Sequence, residues 1–271
     1  TDTFTIVLNA QPSSDVVLSV TSGDTGEATV TGTITFTSAN WDTAQTVTVT
    51  GADDDLIDGT VTSTITVSVV DAASDNNFDS VSDQTVSVST TDDDVAGFTI
   101  AETDSSTSVS ESGTTDTFTI VLNAQPSSDV VLSISSGDTG ESISNSPLTF
   151  TSANWDTAQT VTVTGVDDDI IDGSVSSTLT ITIVDASSND SFDSVADQTV
   201  SVTTTDDDVA GFTIAETDGS TSVDESGSTD TFTVVLDAEP DSDVVLSISS
   251  SDTGEATVTS ALTFTSANWD T

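Results

Sequence analysis

The chain has 271 residues, 47 of them Asp or Glu, with no Lys, Arg, His, Cys or Tyr, and its formal net charge is −47. That inventory excludes nucleophilic triads, Schiff bases, lysine-based phosphate cradles and thiol chemistry, and the charge excludes nucleic acid and anionic membrane surfaces as partners. Disorder is disfavoured too, because only 17% of residues are charged and the rest alternates apolar side chains with Thr or Ser, as strands do.

The segment Thr1–Thr43 returns at Thr115 and again at Thr229, with Trp41, Trp155 and Trp269 in identical phase at a spacing of 114 residues. Thr1–Thr43 and Thr229–Thr271 match at 33 of 43 positions without a gap. Such a period is too long for a solenoid turn and suits a whole small domain, so a tandem array of one module is expected. The middle repeat is complete. In chain order it reads as a first strand in two pieces, Gly97–Glu102 and Thr107–Glu111, followed by Thr115–Leu122 and the turn cluster Asn123–Pro126. Asp129–Ser135 and Leu148–Thr151 follow as the third and fourth strands. Thr160–Gly165 is the fifth, with Val161 and Val163 inward and Thr160, Thr162 and Thr164 outward. Ser177–Val184 and Thr199–Thr205 complete the set. Seven short strands with turn signals between them and no helical period predict all-β, tandem seven-stranded antiparallel β-sandwich modules joined end to end.

The phase sets the expected boundaries: 1–95 as a repeat lacking its first strand, 96–209 as a complete one, and 210–271 as one lacking its C-terminal half. The chain opens in mid-strand and is expected to be a window on a longer protein. The junction TDDDVAGF leaves no flexible tether between modules. No apolar run approaches the ~20 residues needed to span a membrane.

Three acidic groups recur in phase. Asp167–Asp169 with Asp172 follow the fifth strand, as Asp53–Asp55 with Asp58 do one repeat earlier. Asp92, Asp93 and Asp94, and then Asp206, Asp207 and Asp208, lie at the seams, while Glu111 and Glu225 end the short piece of the first strand. In a seven-strand sandwich the loop after the fifth strand, the end of the seventh and the first-strand crossover can all lie at one end. Two carboxylates about 4 Å apart repel by roughly 4 kcal/mol at an effective dielectric near 20. No basic side chain relieves them, so bound cations are expected. Calcium takes six to eight oxygen ligands in irregular geometry, magnesium demands a stricter octahedron, and zinc, iron and copper lack their preferred imidazole or thiolate ligands.

The stretch TDDDVAGFTIAETDSSTSVSESGTTDTFTIVL resembles the join between two Calx-β domains, a family known from sodium–calcium exchangers, integrin β4 and bacterial surface proteins. The likeness covers the full repeat: the DDD-x-AG-F junction, the S-E-S-G crossover and the V-D-D-D-I-x-x-D loop. It implies Glu111, Asp167, Asp168, Asp172, Asp206, Asp207 and Asp208 as calcium ligands of the middle domain. It likewise implies Asp53, Asp54, Asp58, Asp92, Asp93 and Asp94 for the first domain and Glu225 for the third. The family often carries another acid three places beyond Asp172, where this chain has Val175. Long, near-identical, Cys-free acidic repeats also resemble the extender regions of giant bacterial adhesins exported by type I secretion, whose glycine-rich calcium nonapeptides are absent here.

Other features have plainer readings. A single Trp per repeat in ANWDT reads as an anchor across a sheet edge rather than a sugar platform, and the Thr-x-Thr rows as outer strand faces rather than an ice-binding plane. Asp190 and Asp193 read as solvated loop acids. Acid–base glycoside hydrolysis would need an aromatic-lined cleft, whereas Phe98, Phe118 and Phe150 fall on apolar strand positions, so the chain is not expected to be an enzyme. The expected function is a calcium-stiffened stalk of an extracellular adhesin or fibre at a bacterial cell surface. Its expected partners are calcium ions and neighbouring copies of itself, with no nucleic acid and no membrane insertion. The alternatives are a calcium-sensing regulatory module and a self-assembling filament or surface-layer subunit. A sensor needs one or two graded domains, and near-identical repetition suits a rod better.

Overall fold

The computed structural model describes residues 1–259 and 261–271. Its first unit contains β1 (Asp2–Ile6), β2 (Val16–Ser22), β3 (Ala28–Val30), β4 (Thr33–Phe36), β5 (Gln45–Gly51), β6 (Val61–Val69) and β7 (Gln84–Thr90). The middle unit contains β8 (Phe98–Glu102), β9 (Thr107–Ser110), β10 (Thr115–Leu122), β11 (Val130–Ser136), β12 (Ser142–Ser144), β13 (Leu148–Phe150), β14 (Gln159–Gly165), β15 (Val175–Ile183) and β16 (Gln198–Thr205). The third has β17 (Phe212–Glu216), β18 (Phe232–Leu236), β19 (Val244–Ser247) and β20 (Ala261–Phe264). Among the described residues helix is confined to short 3-10 turns, and no helix is long and apolar enough to cross a membrane.

The fold is all-β, built from two-layer sandwiches. The middle unit packs the sheet β12-β14-β10-β8 against β13-β11-β15-β16-β9. Strand alternation makes that possible: Phe118, Ile120 and Leu122 of β10 are buried on the same face as Val161 and Val163 of β14, and they meet Val130, Leu132, Leu179 and Ile181 of the opposing sheet. Each such apolar side chain taken fully from water contributes about 1.5–3 kcal/mol. Among the described residues, the main core cluster has 18 buried apolar members in the middle unit, 8 in the first and 3 in the third. Trp155 lies half-buried against the middle core, and its carbonyl accepts the Leu122 N–H at 3.1 Å.

Two features differ from the sequence expectation. Ser142–Ser144 forms a short additional strand, β12, pairing with β14 from Ser142↔Gly165 to Ser144↔Val163. The first strand is not only split but divided between the layers: β8 pairs antiparallel with β10, while β9 pairs parallel with β16, from Val202↔Thr107 to Thr205↔Ser110. The cause is the crossover at residues 103–106, where Ser105 adopts φ 67° and the chain changes sheets without reversing direction.

The units meet through backbone pairing. The Gln125 N–H donates to the Asp55 carbonyl at 2.6 Å, and the Ile57 N–H donates to the Gln125 carbonyl at 3.3 Å, within a parallel bridge Leu56↔Gln125. One repeat later the Glu239 N–H donates to the Asp169 carbonyl at 2.7 Å beside a parallel bridge Ile170↔Glu239.

Candidate metal centre

The pairing of β9 with β16 decides where Glu111 goes. Because the two strands run parallel and end together, the Glu111 N–H donates to the Thr205 carbonyl at 3.1 Å, which sets the Glu111 side chain beside Asp206–Asp208. The β15–β16 ladder, which pairs Val175 with Thr204, brings the end of the Asp167–Gly173 loop to the same place, and the Gly173 N–H donates to Asp206 Oδ2 at 2.8 Å. The other oxygen of Asp206 accepts the Asp208 N–H at 2.7 Å. Asp168 Oδ1 accepts the Ile170 N–H at 2.8 Å, holding that loop in a turn.

A fifth carboxylate arrives from β12. Asp138 closes a turn by accepting the Gly140 N–H, and the Val166 N–H then donates to the Glu141 carbonyl at 3.0 Å, so Glu141 projects from the start of β12 into the cluster. In two overlapping triplets, Glu111–Glu141–Asp172 and Glu111–Asp206–Asp208, one carboxylate oxygen from each residue lies within 4.8 Å of the others. Oxygens bound to a common calcium at 2.3–2.6 Å are at most about 5 Å apart, so both triplets have the spread one ion requires.

Burial turns this cluster from a decorated loop into a site. Glu111 is 1% exposed and Glu141 6%, and both carboxylate oxygens of Glu111 and one of Glu141 have no hydrogen-bond partner. A buried, unpartnered carboxylate is strongly disfavoured in its charged form. Burial accordingly pushes Glu111 up to about 7; the Asp207 backbone N–H, nearby but short of hydrogen-bond geometry, opposes the rise, and the charges of Asp168, Asp206 and Asp172 add to it. Burial also raises Glu141, with Asp172 the largest charge acting on it, and raises Asp172, with Asp168 and Asp206 next. Asp208 is raised by burial and then by Asp206. In each case burial is the largest cause, and neighbouring carboxylates add to the rise.

Among the residues expected to bind metal, the structure brings together Glu111, Asp172, Asp206 and Asp208, with Asp168 near enough to act on Glu111 and Asp172. Asp167 and Asp207 are exposed at the rim. In the first unit Asp92 Oδ2 accepts the Gly59 and Asp58 N–H groups at 2.8 and 3.0 Å, and these bonds, the Gly59 one first, hold its carboxyl below the usual range. Asp94 is raised by burial and by Asp92, Asp55, Asp93 and Asp53, and Glu27 by burial, Asp58 and Asp54. Asp53, Asp54, Asp58 and Asp93 are themselves exposed, and among the described residues only the middle unit forms triplets of the stated spread. Glu225 is exposed, because the third unit has no described strand pairing to carry it as β9 carries Glu111. Glu141 escaped the sequence reading. Its signal was present: Glu27, Glu141 and Glu255 end the same D-T-G-E turn in each repeat.

No family model matches the chain, and no curated protein matches it. Among solved structures the chain is similar to domains 4 and 5 of the S-layer protein SbsC, at 16% identity over 69% of this chain and 70% of that one, with a TM-score of 0.32. It is similar to domains 1–6 of the same S-layer protein at 16% identity and a TM-score of 0.33, covering 92% of this chain and 28% of that one. It is also similar to the calcium binding domain CBD12 of CALX1.1, at 16% identity over 66% of this chain and 73% of that one, with a TM-score of 0.29. At those scores the likenesses carry no argument about binding or assembly, and the functional reading rests on the residues.

Proposed function

We propose that the chain is a run of calcium-stiffened extender repeats from an extracellular bacterial fibre or adhesin stalk. The observation that carries the reading is Glu111: a carboxylate 1% exposed, with both oxygens unpartnered, facing Glu141, Asp172, Asp206 and Asp208 in a chain without a basic side chain. Nothing in the protein can neutralise that group, and a hard cation can. The donors are all carboxylate oxygens in an irregular set, which suits calcium better than magnesium and offers nothing to softer metals. When bound, the ion supplies positive charge that cancels the mutual repulsion of the cluster.

The stiffening follows from where the ligands sit. Asp172 lies on the loop whose backbone pairs with the next unit at Glu239, and Asp206 and Asp208 begin the link to that unit. Glu111 and Glu141 belong to the body of the middle sandwich. Fixing all of them to one point fixes the loop and the link to the body, so bending the seam would require breaking coordination. The 114-residue repetition and the lack of side chains for nucleophilic or redox chemistry support a spacer over a catalyst.

Calcium titrated calorimetrically into the metal-free chain should give saturable binding, and small-angle scattering should show a longer, stiffer particle in calcium than in EDTA. Heat no larger than ionic screening, with superimposable scattering curves, would leave the aspartates as solvated loops and overturn the reading.

A further inference from the structure

We propose that Gly165 is the positioning residue of the middle cation site: because it carries no side chain, the turn Ser110–Thr114 lies against the end of β14, and that seat holds Glu111 among the other carboxylates. This rests on the calcium reading of the Glu111 cluster.

Gly165 ends β14 and is buried. Its backbone is ordinary strand without a positive φ, so conformation does not call for glycine there. A glycine in a strand forfeits side-chain packing and adds chain entropy to be lost on folding, and it often marks a place where another backbone comes close. Here that backbone is Ser110. A methyl group on Gly165 would overlap the Ser110 carbonyl oxygen, and it would stand 2.7 Å from the carbonyl carbon and 3.3 Å from the nitrogen. At Gly51, the same place in β5, the nearest atom to such a methyl would be Thr90 Cγ2 at 3.7 Å, an ordinary contact.

Ser110 is not free to give way. Its carbonyl accepts the Gly113 N–H at 3.1 Å, its N–H donates to Thr114 Oγ1 at 2.7 Å, and the Gly165 N–H donates to the Thr114 carbonyl at 3.0 Å. Gly113, at φ 81°, closes the turn. Glu111 is the next residue along it. The opposite edge of β14 pairs Gly165 with Ser142, directly after Glu141. The end of β14 thus stands between the two backbones that deliver the buried glutamates. No protein donor fixes the Glu111 oxygens, so the seating of its backbone is what aims them at Glu141, Asp172, Asp206 and Asp208. Pushing Ser110 away from Gly165 would shift Glu111 out of both triplets.

The test uses the full 271-residue chain and calcium itself. Gly165→Ala should lower the calcium affinity measured by calorimetry about 10–100-fold, the range usual when the support behind a metal ligand is lost. Gly51→Ala should leave it unchanged. A double-mutant cycle separates positioning from general damage: in a Glu111→Gln background the same alanine should cost little further, because the ligand it displaces is gone. Equal affinity in Gly165→Ala and the unaltered chain, or losses that simply add in the cycle, would overturn the positioning role while leaving the site standing. Should Gly165→Ala lose the β-strand circular dichroism of the unaltered chain, Thr114→Val takes its place. That change removes the hydroxyl that fixes the Ser110 N–H, adds no bulk and should lower the affinity in the same sense; unaltered affinity there would overturn the role. Absence of calcium binding by the unaltered chain would overturn the calcium reading itself.

Discussion

At the first seam the loop Asp53–Gly59 delivers Leu56 and Ile57 to the next unit, and at the second the loop Asp167–Gly173 delivers Ile170 and Ile171 to the same places. Ile57 is half-buried and packs against the middle core, whereas Ile170 is 36% exposed and Ile171 41%. The receiving turn differs as well. Asn123, Gln125 and Ser127 at the first seam become Asp237, Glu239 and Asp241 at the second, three additional carboxylates beside a loop that is already acidic. The second seam has the buried Glu111 cluster behind it. One loop motif thus meets its neighbour in two ways: with an isoleucine packed against the neighbouring core at the first seam, and beside additional carboxylates at the second. Chelation should therefore loosen the second seam more than the first.

The largest expected effect comes from Glu111→Gln, which keeps the shape and removes the buried charge. In calcium this should lower the affinity of the middle site by at least about tenfold, equivalent to about 1.4 kcal/mol. In EDTA the sign should reverse and the variant should melt higher than the unaltered chain, since the uncompensated carboxylate is gone. The same melting temperature as the unaltered chain in both conditions would mean that Glu111 does not meet an ion. Removing Glu27 from the first unit by the same Glu→Gln change should move both curves less.

Acidity should separate the states in the same sense. Glu111 rises from 4.5 to about 7 on folding, so its contribution to stability is fully present below pH 4.5 and is lost as pH climbs towards 7. Glu27, Asp94, Glu141, Asp172 and Asp208 are raised too and act with the same sign. Asp75 and Asp92 are lowered and act oppositely, but only in more acidic solution. Melting temperature in EDTA should therefore fall between pH 4.5 and 7, and saturating calcium should flatten the slope. A flat profile in EDTA would show that these carboxylates are well hydrated. With a Kd near 10⁻⁴ M, usual for extracellular calcium modules, and calcium near 10⁻² M, binding would stabilise the site by about 2.7 kcal/mol.

The strands were legible because alternation is a local signal: TFTIVL and TVTVTG can bury one face only as strands. The direction of β9 against β16 was not, since it depends on how the crossover at Ser105 enters the second sheet, and local pattern carries no information on pairing direction. The site was legible in part for the same reason. Aspartate triplets stand out in the sequence, whereas Glu141 is one acid in a turn and becomes part of the cluster only through the pairing of β12 with β14. Glu225 shows the converse. Its sequence context, DES, matches that of Glu111, SES, yet burial comes from the neighbouring strand rather than from the motif.

Apolar packing across the first seam can be tested by Ile57→Ser and its counterpart Ile171→Ser. Because only Ile57 sits against a core, its loss should cost about 1 kcal/mol more, roughly half the value of burying such a side chain completely. Equal losses at the two positions would remove packing from the comparison.

The smallest effect concerns the amide at the receiving turn. The Gln125 side chain donates from Nε2 to the Ser152 carbonyl at 2.8 Å, as Gln11 does to Ser38 at 2.9 Å, which staples the turn to the Trp-bearing segment of its own unit. The side chain of Glu239, in the same place in the third unit, has no N–H to donate and adds charge beside Asp169. Gln125→Glu should therefore weaken the first seam by about 0.5–1.5 kcal/mol, the usual net value of one such hydrogen bond. Glu239→Gln should strengthen the second seam by a similar amount, and more in EDTA than in calcium, because the charge it removes matters most when no cation is bound. Limited proteolysis at the two links reads each seam separately. Protection of the second link rising in Glu239→Gln, with the chelator-dependent difference shrinking, would show that the extra carboxylates make that seam depend on the ion. Unchanged cleavage at both links in both variants would assign the dependence to the Glu111 cluster alone.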